Sequence, residues 1–214
     1  LAAILGTTTA SNTNGPVDFA LVADGGYGRA TLTPGSDIDL LFLLPKASNK
    51  IPAATRSMVQ SILYLLWDVG FKVGHACRSI AECITEAKAD QEAMTALMDA
   101  RLIAGDAGLF QQFTTRFDQD CLQRAQQAFI ALRRKDLESR HNKHSRTVFL
   151  QEPNIKEGCG GLRDIHSMRW VARVKLGQPT VRKLVDADLL DPMALREIPR
   201  SEEHTSELQS PNTI

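Results

Sequence analysis

Two aspartates, Asp37 and Asp39, stand one residue apart at the start of the apolar stretch "DIDLLFLLP". Alternate residues of an extended strand point to the same face, so we expect both carboxylates on one side, with backbones about 6 to 7 Å apart. Two carboxylates at that spacing repel each other, and a divalent cation between them would offset the repulsion. Because all the ligand atoms are oxygens, the pair predicts a site for Mg²⁺ or Mn²⁺.

A glycine pair, Gly25 and Gly26, ends the preceding apolar stretch "DFALVADGG". Glycine lets the backbone approach a ligand closely, and its N–H groups can face phosphate oxygens. A metal held by carboxylates next to such amides suits attack on a nucleoside triphosphate. The alternative is a surface turn beside an unrelated D-x-D. A dinucleotide site is disfavoured, because "GYGRAT" lacks the last glycine of G-x-G-x-x-G.

The elements that must position these residues follow from the hydrophobic spacing. Two buried strands are predicted at "DFALVADGG" and "DIDLLFLLP", and a shorter strand at "FKVGHACRS". Between them, "AATRSMVQSILYLLWDVG" predicts an amphipathic helix that buries Met58, Ile62, Leu65, Leu66 and Val69. From "SIAEC" onward only helices are predicted, among them "DQEAMTALMDARLIAG", "AGLFQQFTTRFDQDCLQRAQQAFIALRRKDLESRHNKH" and "LRDIHSMRWVARVKLG".

This pattern predicts a lead-in segment 1–18, an α/β core 19–89 and an all-helical domain 90–199. Segment 200–214 is polar, contains no aromatic residue and is unlike the chain before it, so we expect it to be non-native and exclude it from the fold. The helical domain is then expected to be truncated. An apolar face around Trp170, Leu184 and Leu189 should consequently lack covering helices.

Composition narrows the class of protein. The 214 residues carry a formal net charge of zero, which gives no indication of a nucleic-acid partner. No apolar run approaches the roughly 20 residues that span a bilayer, so no membrane association is expected. The four cysteines include no C-x-x-C pair, which favours reduced thiols and a cytoplasmic protein over a zinc site or a disulfide framework.

Several motifs together carry a family resemblance: "LVADGGYGR", "SDIDLLFLL", "LWDVGFKVGHACRS", "TALMDARLIAGD" and "EPNIKEGCGGLRDIHSMRWVAR". In this order they resemble the bacterial protein-PII uridylyltransferases, which belong to the DNA polymerase β-like nucleotidyltransferase superfamily. The resemblance covers 19–198. It implies an α+β fold in which a small mixed sheet with helices is followed by an all-helical domain. It also implies transfer of UMP from UTP to a tyrosine hydroxyl of a PII signalling protein, with release of pyrophosphate.

The resemblance also implies roles for single residues. Asp37 and Asp39 match the catalytic, metal-binding pair, and Gly25 and Gly26 match the phosphate-binding turn. Ser36 matches the serine that leads into the carboxylates. Arg29 would lie beside the triphosphate as a nucleotide-binding residue, and a surface salt bridge is the alternative for it.

The sequence departs from the family at two positions. Asp24 stands where a small apolar residue is usual, and Lys72 where a third carboxylate would be natural. His75 is either a substitute base or a structural residue. Two other functions therefore stay open: an adenylyltransferase-type relative that acts on glutamine synthetase, and a catalytically silent nucleotide-binding regulatory module.

Two further segments allow more than one interpretation. The charged run "RRKDLESRHNKHSR" predicts a solvated helix face, with binding of an acidic partner as the alternative. Arg163 and Asp164 begin a helix, where they form either a local ion pair or part of a segment near the active cleft.

Overall fold

The computed structural model describes residues 18–32, 36–143, 154–177, 181–188, 190–194 and 196–198. The chain divides into two compact units between Cys121 and Leu122. The predicted lead-in segment and the predicted non-native tail lie outside the described residues, apart from Asp18.

A four-stranded mixed sheet forms the centre of the first unit. Its strands are β1 (Ala20–Ala23), β2 (Ile38–Leu44), β3 (Val73–Ser79) and β4 (Arg101–Gly105), in the order β3-β2-β1-β4. Strand β1 is antiparallel to both of its neighbours, whereas β2 and β3 are parallel. The predicted fold class, a small mixed sheet with helices, is confirmed.

Helices cover the sheet of the first unit. They are α1 (Gly25–Gly28, a single turn), α2 (Ala53–Asp68), α3 (Ile80–Ala89), α4 (Gln91–Met98) and α5 (Ala107–Phe117). Alternate β2 residues, Ile38, Leu40, Phe42 and Leu44, pack against the buried face of α2. This arrangement leaves Asp39, the second residue of β2, and Asp37, which directly precedes the strand, on the other face of the sheet.

The predicted inward face of α2 is partly wrong. Ile62 and Leu66 are buried as expected, and Val59 and Leu63 join them. Leu65 and Val69 were expected inside but are 39% and 64% exposed. The buried face of α2 is therefore rotated relative to the predicted one. Helical spacing from Ile62 and Leu66 allows either Leu63 or Leu65 to complete an apolar face, so the sequence alone did not decide between them.

The prediction of helices alone after "SIAEC" is also wrong. Helix α4 ends at Met98, and the following Arg101–Gly105 form β4, which pairs with β1. The sheet therefore includes a strand beyond residue 89, where the core was expected to stop. The long predicted helix after Gly105 is likewise divided, because a π-helical turn at Asp118–Gln123 separates α5 from the next helix.

The second unit contains α6 (Gln126–Lys143), α7 (Leu162–Leu176) and α8 (Val181–Asp186). Trp170 and Leu184 are 2% and 5% exposed. The expected uncovered face around these two residues is therefore wrong, and Leu189 lies outside the described residues.

The charged run of α6 is not simply a solvated face. Arg140 is 11% exposed and its guanidinium bonds the Asp136 and Asp164 carboxylates, at 3.2 and 3.0 Å. His141 Nε2 lies 2.8 Å from the other Asp164 oxygen. Arg163 pairs with Glu157 at 3.3 Å. The contacts of Asp164 hold α6 to the start of α7. The local ion-pair interpretation therefore describes Arg163, which pairs with Glu157, and not Asp164, whose partners lie on α6.

The cysteines and the helices bear on the expectations of reduced thiols and of no membrane association. Cys77, Cys83, Cys121 and Cys159 are all free thiols. None of the described helices is both long enough and apolar enough to cross a membrane.

Glu82 fixes the start of α3. Its carboxylate accepts bonds from the Ser79 N–H at 2.7 Å and the Ser48 hydroxyl at 2.7 Å, while the Ser79 hydroxyl caps the Glu82 N–H. This reciprocal pair is a capping box. Hydrogen bonds from the Ser79 backbone and from Ser48 lower the pKa of Glu82 to about 2.

Replacing Glu82 with glutamine should destabilise the fold in a pH-dependent way. The folded pKa is lower than the unfolded value, so the stabilisation is complete above about pH 4.5 and is lost as the pH falls towards 2. We expect Glu82→Gln to lower the free energy of unfolding by about 1 kcal/mol at pH 7. Denaturant titrations at pH 7 and pH 3 check this, and an equal difference at both values would contradict it.

Candidate functional site

Asp37 and Asp39 lie on one face at the start of β2, as their spacing predicts. Ile38 between them is 5% exposed, whereas both aspartates are exposed. Partial burial raises the pKa of Asp39, and the charge of Asp37 raises it further, while Arg29 lowers it. The two carboxylates therefore repel each other in the folded protein, and a cation bound between them would relieve that repulsion.

Glycines flank the Asp39 carboxylate on both sides. A Cβ on Gly25 would lie 3.3 Å from Asp39 Oδ2, and a Cβ on Gly74 would lie 2.7 Å from Asp39 Oδ1. Gly25 also has a φ of +51°, which side-chain-bearing residues rarely adopt. Gly74 is the register partner of Asp39 on β3. Larger residues at either position would displace the carboxylate.

The turn after β1 is held against the start of β2. The Asp24 N–H donates to the Asp39 carbonyl at 3.2 Å, and the Gly28 N–H donates to the Asp24 carbonyl at 2.8 Å. Gly25 and Gly26 begin α1, and first-turn N–H groups do not bond within a helix. The N–H groups of Gly25 and Gly26 therefore lie beside the carboxylate pair. Consecutive backbone N–H groups of this kind can bind phosphate oxygens.

Arg29 follows this turn and forms an ion pair with Asp99 at 2.6 Å, with both side chains largely buried. Arg29 thus forms a salt bridge, but a largely buried one and not the surface pair that was the alternative, and its nucleotide-binding role stays a prediction. The Arg29 charge still acts on Asp39, and its Nε is buried without a hydrogen-bond partner among the described residues. A buried unpaired donor of this kind is costly unless something binds it.

Arg101, on β4, holds the end of α1. Its guanidinium donates to the Gly28 carbonyl at 3.2 Å and the Tyr27 carbonyl at 3.0 Å, and lies 5.5 Å from the centre of the Tyr27 ring. Sequence reasoning missed Asp99 and Arg101 because they come about 70 residues after the turn. No local pattern marks a partner at that separation.

Ser36 and the two carboxylates are the remaining predicted residues of the site. Ser36 is half-buried and directly precedes Asp37, while residues 33–35 lie outside the described chain. Among the described residues, no cluster of three or more His, Cys, Asp or Glu side chains could hold a metal ion. The possible donors at the site are thus the two carboxylates. This number suits Mg²⁺, which commonly binds one or two carboxylates and completes its shell with water and substrate phosphates.

His75 does not substitute for a third carboxylate. Its neighbour Gly74 shares the face of Asp39, so His75 points to the opposite face of β3. There its ring lies 6.3 Å from that of Trp67, edge to face. The structural interpretation of His75 is therefore the better one.

Asp24 adds a third negative charge beneath the turn. Burial and the nearby charge of Asp39 raise the pKa of Asp24 to about 6, although Arg78 acts in the opposite direction. Its unusual position in the sequence therefore has an electrostatic consequence. Above about pH 6 Asp24 is ionised, and its charge then adds to the repulsion at Asp39 when no cation is present.

Asp24→Asn should stabilise the metal-free protein at neutral pH. The folded pKa exceeds the unfolded value of 3.8, so the wild type loses stability as the pH rises through about 6. A shift of about two units corresponds to roughly 2 to 3 kcal/mol of unfolding free energy at pH 8. Denaturant titrations in EDTA at pH 4 and pH 8 measure the gain, and a gain that is equal at both pH values would disprove this account.

Comparisons with known proteins agree with this geometry. Residues 10–102 match the model of the nucleotidyltransferase domain, and residues 128–210 match the model of the GlnD PII-uridylyltransferase family. The first match contains β1, α1, β2 and β3. The second extends into segment 200–214, whose predicted non-native origin stays a prediction.

A curated protein of Rhodopseudomonas palustris, named bifunctional uridylyltransferase/uridylyl-removing enzyme, is 40% identical to this chain over 185 residues. The alignment covers 86% of this chain and 20% of the relative, so the chain spans about a fifth of that protein's length. These matches agree with the resemblance that the motifs indicated: residues 10–102 are similar to a nucleotidyltransferase domain, and most of the chain is similar to a PII uridylyltransferase.

Proposed function

We propose that this chain carries the uridylyl-transfer site of a PII uridylyltransferase. The site would move UMP from UTP to a tyrosine hydroxyl of a PII signalling protein. The phenolic oxygen bonds to the α-phosphorus, the bond from that phosphorus to the bridging oxygen breaks, pyrophosphate leaves, and the phenolic proton passes to water. The observation that carries this proposal is the pair Asp37 and Asp39 on one strand face, directly beside the Gly25–Gly26 turn.

In this proposal Asp37 and Asp39 hold Mg²⁺ or Mn²⁺. The ion, when bound, supplies positive charge to the triphosphate. The chain's own contribution is positional, because Gly25 and Gly74 carry no side chain that would displace the Asp39 carboxylate. The mutual repulsion of the two carboxylates favours cation binding over the empty state.

The nucleotide would lie along the turn. The Gly25 and Gly26 N–H groups and the Ser36 hydroxyl face the phosphates, as the family resemblance implies. Arg29 contributes positive charge from a fixed position, since its ion pair with Asp99 restrains the guanidinium.

One observation supports a second candidate, a catalytically silent nucleotide-binding module. Lys72 precedes β3 where a third carboxylate was expected, and among the described residues Asp24 does not complete a group of three side chains that could hold a metal ion. Under that alternative, UTP and Mg²⁺ would bind without release of pyrophosphate. The name of the relative favours uridylyl transfer over the adenylyltransferase alternative.

Asp37→Asn and Asp39→Asn should each abolish UMP transfer while the fold is retained. Loss of a metal ligand removes several kcal/mol of transition-state stabilisation, which corresponds to about 100-fold or more in rate. UMP incorporation into purified PII at saturating Mg²⁺ measures this effect. Asp68→Asn, at the exposed end of α2, is the matched control and should behave as wild type. Normal turnover in either site variant would refute the assignment.

Two of the three glycines of α1, Gly26 and Gly28, should respond differently to alanine. A Cβ on Gly26 would make only ordinary contacts, 3.6 Å from Leu32 Cδ2, whereas one on Gly28 would lie 2.1 Å from the Asp99 carbonyl oxygen. Gly28→Ala should therefore lower stability by about 1 to 3 kcal/mol. Gly26→Ala should keep the melting temperature but weaken UTP–Mg²⁺ binding, as measured by calorimetry. If Gly26→Ala lowered the melting temperature and the UTP–Mg²⁺ affinity together, the role of Gly26 would be purely structural.

A further inference from the structure

Strand β3 is an edge of the sheet. It pairs with β2 on one side, and among the described residues no strand pairs with its other side. The Ile38 N–H donates to the Lys72 carbonyl at 2.8 Å, so the alternating pattern directs the backbone groups of Gly74 and Ala76 towards β2. The N–H and C=O groups of Val73, His75 and Cys77 then point outward. An edge of this kind is a template for an added strand.

The edge leads directly to the candidate site. Gly74 is exposed, stands next to Asp39 in the register, and has no side chain to separate the edge from the Asp39 carboxylate. A residue of an added strand opposite Gly74 would point to the same face as Asp39, with its backbone about 10 Å away, two strand spacings. The Asp39 side chain and that of the added residue would extend towards each other over Gly74. They can span the distance between the two backbones when the added residue is long, as tyrosine is.

The opposite face of the same edge carries exposed apolar side chains. Tyr64, Trp67, Val69 and Phe71 are 60%, 44%, 64% and 44% exposed, and they form what we call the aromatic patch. Trp67 contacts both Tyr64, at 5.8 Å, and His75 on β3, at 6.3 Å. The patch therefore reaches β3, and residues on either side of the inserted tyrosine would point towards it. Neighbouring exposed apolar side chains, unlike single ones, are typical of interaction surfaces.

We propose that the acceptor protein presents its tyrosine in an extended segment that binds as an added strand along the β3 edge. The tyrosine lies opposite Gly74 and reaches the Asp37–Asp39 face, while its neighbours in the segment pack on the aromatic patch. This inference rests on the proposed function, since it identifies how the acceptor of that site is held. Gly74 serves as the opening between the docking edge and the carboxylates.

Hydrogen exchange tests the docking directly and without any transfer. The amides of Val73, His75 and Cys77 should exchange quickly in the free protein and become protected at least tenfold when a PII protein is added. Slow exchange in the free protein would mean that another segment, such as residues 1–17, covers the edge, and the proposal would be wrong. Protection confined to other elements would also overturn it. Failure of the proposed chemistry would appear separately, as docking without UMP transfer.

A matched pair of variants isolates the backbone contact. His75→Pro removes the outward N–H, and His75→Ala keeps it, while both lose the ring contact with Trp67. We expect His75→Pro to raise the KM for PII at least tenfold, to leave UTP–Mg²⁺ affinity within twofold, and to exceed the effect of His75→Ala. Trp67→Ser should raise the same KM through the aromatic patch. Equal KM values for the proline and alanine variants would overturn the strand-addition model.

Discussion

The cost of keeping neighbouring, partly buried carboxylates together is the constraint around which this site is organised. Burial raises the pKa of both Asp24 and Asp39, and a neighbouring carboxylate raises each further, Asp39 acting on Asp24 and Asp37 on Asp39. The folded protein keeps these carboxylates even though every residue of β2 other than Asp39 is buried. Stored electrostatic strain at one point of an otherwise apolar strand is typical of a site that binds a cation.

The sheet topology concentrates that strain at one edge. Because β1 is antiparallel to β2, the turn that follows β1 lies next to the first residues of β2. Because β3 is parallel to β2, its first residues also lie there. Three chain segments therefore converge on Asp39, and glycine occupies the closest position in two of them, at Gly25 and Gly74. A side chain at either glycine would crowd the Asp39 carboxylate.

The sequence predicted the local features of the site well. Strict alternation in β2 placed Asp37 and Asp39 together, and glycine chemistry marked the turn. It failed where distant segments supply the contacts. Asp99 and Arg101 hold the turn from beyond α4, and β4 was taken for part of a helix because "LIA" is equally apolar in both patterns. The buried face of α2 was misjudged for a similar reason, since tertiary contacts, and not spacing, chose Leu63 over Leu65.

The dependence of the turn on β4 has a consequence for synthesis of the protein. Every residue assigned to the metal and the phosphates lies before position 40, yet the partners of Arg29, Tyr27 and Gly28 lie at 99 and 101. The β1–β4 pairing also joins residues about 80 positions apart. Contacts of such long range form late and slowly. On the ribosome, the turn after β1 would therefore lack its contacts with Asp99 and Arg101, and β1 its pairing with β4, until Gly105 had emerged.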